Sequence, residues 1–228
     1  MDLRQYFAPG KPRRRLMMTF LGVLTCAMSV GMFKQAGFGT DPFQCLCNGL
    51  DRVIPIDFGT LYLCINLVLL VVVFLMDRHY IGVATFINLF LLGYLIDFSQ
   101  KTLHSVFGDP SMALRIVYIT IGIVVMCLGS ALYFAASLGV STYDAVALVW
   151  SERQTRLPFQ LCRVVTDSVC VIAGIVLCRL SGMDAAQIFG AVGIGTVITA
   201  FCMGPLIAFF NRTVARPLLS ISAEAPQK

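Results

Sequence analysis

The sequence predicts an all-α membrane protein of about six transmembrane helices, built as an inverted repeat of three spans, each half with a short broken or interfacial helix after its first span. Three observations predict it. The 228-residue chain is 58% hydrophobic and only 13% charged, with mean hydropathy +0.84, whereas a soluble domain carries about a quarter charged residues. The charges cluster and leave apolar runs near the ~20 residues that cross hydrocarbon. Finally, the second half repeats the first. Thr85, Ile87, Phe90, Gly93, Leu95, Ile96 and Phe98 are matched without gaps by Thr196, Ile198, Phe201, Gly204, Leu206, Ile207 and Phe209. Unrelated apolar stretches of this length match at roughly one or two positions, given the few residue types they use.

The expected spans are 16–36, 58–76, 80–98, 114–136, 160–179 and 186–210. The first follows Lys11, Arg13, Arg14 and Arg15 and resembles a signal peptide, but it is long enough to span and no small-residue cleavage site follows it. It also has a counterpart in the second half: Gly22, Ala36, Gly39 and Phe43 match Gly122, Ala136, Gly139 and Tyr143. Phe58 and Asn66 match Phe159 and Asp167, and about ten extra residues around Ser181 to Gly190 interrupt the second half. The last span is long, with a tilt or break expected at Gly193 to Gly195. The resulting segments are a basic cytoplasmic N-terminus (1–15), a first repeat (16–98), an extracytoplasmic loop (99–113), a second repeat (114–210) and a cytoplasmic tail (211–228), with residues 217–228 expected to be disordered.

Charge sets the topology. Arg13 to Arg15, Arg78 and His79, Arg153 and Arg156, and Arg212 and Arg216 fall on one side if the spans alternate. The other side holds Arg52, Lys101, Arg115 and Arg179. The positive-inside rule then places both termini in the cytoplasm. The net charge of +5 is topology information rather than a nucleic-acid patch.

Each half breaks after its first span. The first break reads Gly37-Phe-Gly-Thr-Asp41-Pro42-Phe-Gln44 and the second Leu138-Gly139-Val-Ser141-Thr-Tyr-Asp144. Asp41 has the place of an N-cap, Pro42 that of the first helical residue, and Gln44 that of a capping-box partner. Ser141 and Asp144 repeat the spacing. Two readings are open. The segments are capped helices lying at the interface, or they re-enter the membrane from opposite sides and direct their N–H groups and positive dipole ends at a central cavity, favouring an anionic group.

Arg163 and Asp167 lie four apart and share a helix face. An ionisable residue inside an apolar span is a candidate for coupling or binding, and also for a structural ion pair or a protonated, hydrogen-bonded acid. Asn66 matches Asp167, and Asn88 with Thr85 matches Thr199 with Thr196; such groups join helices or contact a solute. Asp97 is expected at an interface and Lys34 to snorkel to water. Six of the nine cysteines (26, 64, 127, 170, 178 and 202) lie in apolar runs as small hydrophobes, and Cys45-x-Cys47 has no partner pair to make a metal or redox site. Gly193-Ile-Gly195-Thr lacks the lysine and strand of a phosphate loop. No catalytic set, cofactor motif or paired acidic motif is present, so no enzyme, metal or cofactor is expected.

The two breaks, the Arg163…Asp167 pair and Gly195-Thr196…Gly204-Pro205 together resemble the YitT/YczE group of bacterial multi-pass membrane proteins, the YczE branch most closely, over residues 14–212. That pattern has Gly-x-x-Pro-Trp-Asp in the break. Here Phe43 and Gln44 replace Trp-Asp in the first copy, while Thr142, Tyr143 and Asp144 fill the second. The resemblance implies a multi-pass protein of the bacterial cytoplasmic (inner) membrane, in a family treated as transporters. The expected function is secondary transport or export of a small solute between the repeats, with Asp41, Gln44, Asn66, Asn88, Asp144, Asp167, Thr196 and Thr199 lining the site and Arg163 paired to Asp167. The alternative is a non-transporting membrane accessory or regulatory protein of a neighbouring biosynthetic or signalling pathway. The expected partners are the lipid bilayer and a small solute, with no nucleic acid. A chain of this size can form a homodimer, although no residue marks a dimer surface.

Overall fold

A computed structural model describes residues 12–153 and 159–220. Among the described residues the α-helices are α1 (Pro12–Ala36), α2 (Pro42–Val53), α3 (Phe58–Met76), α4 (Val83–Phe107), α5 (Met112–Ala136), α6 (Thr142–Arg153), α7 (Phe159–Leu180), α8 (Ala185–Ala191), α9 (Ile194–Phe210) and α10 (Arg216–Ser220). A 3₁₀ turn at Arg78–Tyr80 precedes α4, and a π-helical turn at Asn211–Ala215 joins α9 to α10. No strand occurs among the described residues. The fold is all-α, with six helical stretches long and apolar enough to cross a membrane. Large apolar side chains such as Leu75, Phe98, Leu180 and Phe201 remain exposed on their outer faces, as a lipid-embedded bundle requires.

The expected helices are found, with shifted ends. The third span begins at Val83 and continues to Phe107, nine residues past the expected end. Asp97 and Lys101 lower the hydropathy there but pair one turn apart at 3.0 Å, so the helix runs on into a polar environment. The last span breaks slightly earlier than expected, between Ala191 and Ile194, and the inserted segment forms α8. Residues 217–220 of the expected disordered tail are helical, and 221–228 lie outside the described residues.

The order of packing places the two short helices inside the bundle. α1 packs on α5 and on α4; α2 packs on α7; α3 packs on α4 and α6; α9 packs on α5. Each short helix thus rests on the middle span of the other half. Glycine permits the closest approaches. A Cβ on Gly22 would stand 2.7 Å from the Gly129 carbonyl oxygen, and one on Gly174 only 2.6 Å from that of Cys45. Small residues let helix backbones meet in this way where lipid offers no hydrophobic drive between helices.

Several contacts occur twice, with the halves exchanged. The Ala84 N–H donates to the Leu138 carbonyl at 2.9 Å, and the Gly195 N–H donates to the Phe38 carbonyl at 2.8 Å. Gly139 lies against Gly82 and Thr85 as Gly39 lies against Gly193 and Thr196. Gly39 and Gly139 hold φ of +99° and +110°, a region open to glycine and strained for other residues. Their missing side chains also make room for the facing backbone. The break in each half is therefore docked on the start of the third span of the other half.

Candidate functional site

The first turns of α2 and α6 meet at the centre of the bundle. Asp41 caps α2, its carboxylate accepting the Gln44 N–H at 3.2 Å, and Pro42 takes the first helical position. Ser141 caps α6 by accepting the Asp144 N–H at 3.1 Å, and its hydroxyl donates to the Asp144 carboxylate at 2.7 Å. One residue into each helix, Phe43 and Tyr143 stack with ring centroids 4.6 Å apart and planes 19° from parallel. These are the equivalent positions of the two halves. Tyr62 closes on Phe43 edge-on at 5.7 Å. Val30, Phe33, Phe58, Ile96, Met126 and Cys170 complete a tight apolar plug around them.

A charged cluster adjoins the plug. The Arg163 guanidinium bonds Asp144 and, through Nε, Asp167 at 3.3 Å, and lies over the Tyr143 ring at 4.7 Å. The Tyr143 hydroxyl donates to Asp167. Asp41 is an electrostatic neighbour of Arg163 and Asp167. Two carboxylates thus hold one guanidinium. The expected Arg163–Asp167 pair is present, and the structure adds Asp144 and Tyr143 from α6. Each helix start has the cap that its sequence suggested, one N–H accepted by Asp41 and one by Ser141.

The remaining candidates divide. Asn66 accepts a hydrogen bond from Thr142 at 2.6 Å and donates to the Tyr62 carbonyl of its own helix, tying α3 to the start of α6. Gln44 does not close a capping box: it is 3% exposed and its amide oxygen has no partner among the described residues. Thr196 approaches Cys45 at 3.7 Å, beside the first turn of α2. Thr199 spends its hydroxyl on the Thr196 carbonyl one turn back, at 2.9 Å, and Asn88 is buried on α4. Thr85, read from the sequence only as the companion of Asn88, bridges the halves by donating to the Val140 carbonyl at 2.6 Å and accepting the Gly82 N–H at 3.1 Å.

A cavity between the halves lies away from the charged cluster. It measures about 570 Å³ and opens at the end of the bundle where α1 and α7 finish, between residues of both halves. Lys34, Asp51, Arg52, Asp57, Asp97 and Lys101 supply its charges. Lys34 lies at the cavity wall, its ammonium over the Phe58 ring, 3.1 Å from the centroid. The cation and the ring face each other because the end of α1 and the start of α3 meet here. Burial raises the Asp51 carboxyl above its ordinary value, and the nearby Lys34 and Arg52 pull it back.

Fold and site together define a multi-pass helical membrane protein with two short internal helices meeting at a charged centre. The chain belongs to the family described as "Family of unknown function (DUF6198)", whose model matches residues 13–212. It is 24% identical over 200 residues to "Uncharacterized protein YyaS" of Bacillus subtilis, covering 88% of this chain and 94% of the relative. It is 26% identical over 203 residues to an "Uncharacterized protein" of Haemophilus influenzae, covering 86% and 85%. It is 22% identical over 222 residues to "Uncharacterized membrane protein YczE" of Bacillus subtilis, covering 91% and 94%. The comparisons support a YczE-like family and no specific YitT branch. No solved structure matches the chain.

Proposed function

We propose that the protein is a secondary transporter or exporter of a small solute, built as an inverted repeat in the bacterial cytoplasmic (inner) membrane with both termini in the cytoplasm. The observation that carries this reading is the meeting of two equivalent half-helix starts at Phe43 and Tyr143. Transporters with inverted repeats place discontinuous helices in this way around a central site. Three spans per half is an odd number, so the halves enter the membrane in opposite senses. The contacts that recur with the halves exchanged agree with that arrangement.

The geometry then suggests a cycle. The cavity admits solute from one side, the extracytoplasmic one by the charge rule, while the aromatic plug closes the path beyond it. Rocking of one half against the other separates Phe43 from Tyr143 and opens the opposite side. The pair Asp144 and Asp167 on Arg163 carries a surplus of negative charge when ionised, which favours a proton or another cation as the coupling ion. The sequence has no nucleotide-binding motif, so the energy comes from an ion gradient or a partner.

The test is thiol labelling of single cysteines across 38–54 and 138–154 in a cysteine-free background, with an impermeant reagent applied from each side. Transport requires positions near Asp41 and Asp144 to react from both sides, each in a fraction of molecules. Labelling confined to the ends of the two short helices would overturn the proposal and favour a non-transporting accessory protein.

A further inference from the structure

The cavity at the end of α1 is lined by charges of both signs, only some of which are paired in salt bridges among the described residues. Asp97 is satisfied by Lys101 at 3.0 Å. Lys34 and Asp51 also face the cavity, on α1 and α2, and attract each other electrostatically. Among the described residues, however, no salt bridge joins Lys34 or Asp51 to any partner. The apolar ring of Phe58 backs the ammonium, and Asn48, Thr40 and Gln187 add polar lining. The volume of about 570 Å³ lies within the range of about 300–1,000 Å³ usual for small-molecule sites.

A lone anion in this cavity would meet Asp51, and a lone cation would meet Lys34. A ligand carrying both charges a few atoms apart satisfies both walls at once. We infer that this cavity binds a small soluble zwitterion, its carboxylate on the Lys34 ammonium and its own ammonium on the Asp51 carboxylate. The inference rests on the transport reading in one respect: it names the class of solute that the cavity admits.

The chain has four lysines, at 11, 34, 101 and 228, so protein labelled with ¹³C at the lysine ε-carbon gives four signals. The experiment uses the full chain in phosphatidylglycerol nanodiscs, with Lys34→Gln identifying the Lys34 signal. The first probe is an equimolar mixture of the twenty common amino acids. The second is a mixture of acetate, propionate and 4-methylpentanoate, and the third a mixture of ethylamine and isopentylamine. The amino acids should shift the Lys34 signal saturably and leave Lys101 in place. The plain carboxylates should require about tenfold higher concentration, the loss expected for one ionic contact, and the amines should leave Lys34 unmoved. Asp51→Asn should abolish the preference of about tenfold while keeping the carboxylate response.

Three results would overturn the inference: no shift with the amino acids, equal response to plain carboxylates, or a shift produced by adding phosphatidylethanolamine without solute. The last would assign the cavity to a lipid headgroup, which carries the same pair of charges. If Lys34 stays silent while cysteines near Asp41 and Asp144 label from both sides, the transport reading survives and only the solute class falls.

Discussion

Phe43 and Tyr143 occupy the same position in the two halves and stack on each other, ring on ring, at 4.6 Å. The contact joins the first turns of α2 and α6 and forms the middle of the apolar plug. The two rings are chemically unequal. Tyr143 carries a hydroxyl bound to Asp167, so the seal is tied to the charged cluster from one side only.

Removing that hydroxyl keeps the stack and cuts the tie. Tyr143→Phe should lower the stability of the purified protein by about 1–2 kcal/mol, near the upper range for hydrogen bonds inside membrane bundles. Phe43→Ala should cost more, about 3 kcal/mol, because it empties a packed position. Reversible unfolding in denaturing detergent measures both.

Arg163 holds two carboxylates, so replacing it leaves both without a cationic partner, with only the Ser141 and Tyr143 hydroxyls still bonded to them. Arg163→Ala should destabilise by about 2–3 kcal/mol, below the 3–5 kcal/mol of a fully buried pair, because the side chain is 34% exposed. Arg163→Lys should recover less than half of that loss, since one ammonium does not reproduce the planar fork. Combining Arg163→Met with Asp144→Asn and Asp167→Asn should recover most of the stability. The same unfolding assay reads each variant.

Glycine packing makes a third prediction with its own control. Gly174→Ala and Gly22→Ala place a Cβ within 2.6–2.7 Å of a facing carbonyl oxygen and should each cost about 1–3 kcal/mol. Beyond its own helix, Gly204 has no described neighbour within 4 Å of where its Cβ would stand, so Gly204→Ala should leave stability within about 0.5 kcal/mol of the parent.

The equivalent threonines should differ in importance. Thr85 bridges the halves through a 2.6 Å hydrogen bond, whereas Thr196 has a weak contact to sulfur at 3.7 Å. Thr85→Ala should lower stability by about 1 kcal/mol and Thr196→Ala by less than half as much. Equal effects would contradict the assignment.

The helices and both breaks were legible in the sequence because long apolar runs, and Gly and Asp-Pro at their ends, act locally. Matched positions of the two halves, such as Phe43 and Tyr143 or Gly39 and Gly139, were legible because they hold matching places in the structure. The Asp144–Arg163 bond was not legible. The residues are nineteen positions apart, with α6 and the start of α7 between them, and only the inward course of α6 brings them together. The Lys34–Phe58 contact was not legible for a related reason: the start of α3 brings Phe58 beneath the ammonium. Gln44 was read as a cap because its spacing fits, yet Asp41 alone caps α2.

The central claim is that a small solute crosses the membrane through this protein, and flux tests it most directly. Proteoliposomes loaded with a small-metabolite extract, with a pH gradient imposed, would be compared with empty vesicles and with vesicles holding Arg163→Ala, checked for folding. Mass spectrometry would read what leaves. Transport predicts that at least one solute, a zwitterion if the cavity assignment holds, leaves faster with the intact protein than with either control. If every metabolite leaves at the rate of the empty vesicles under both directions of the gradient, the protein is not a secondary transporter and the account is contradicted.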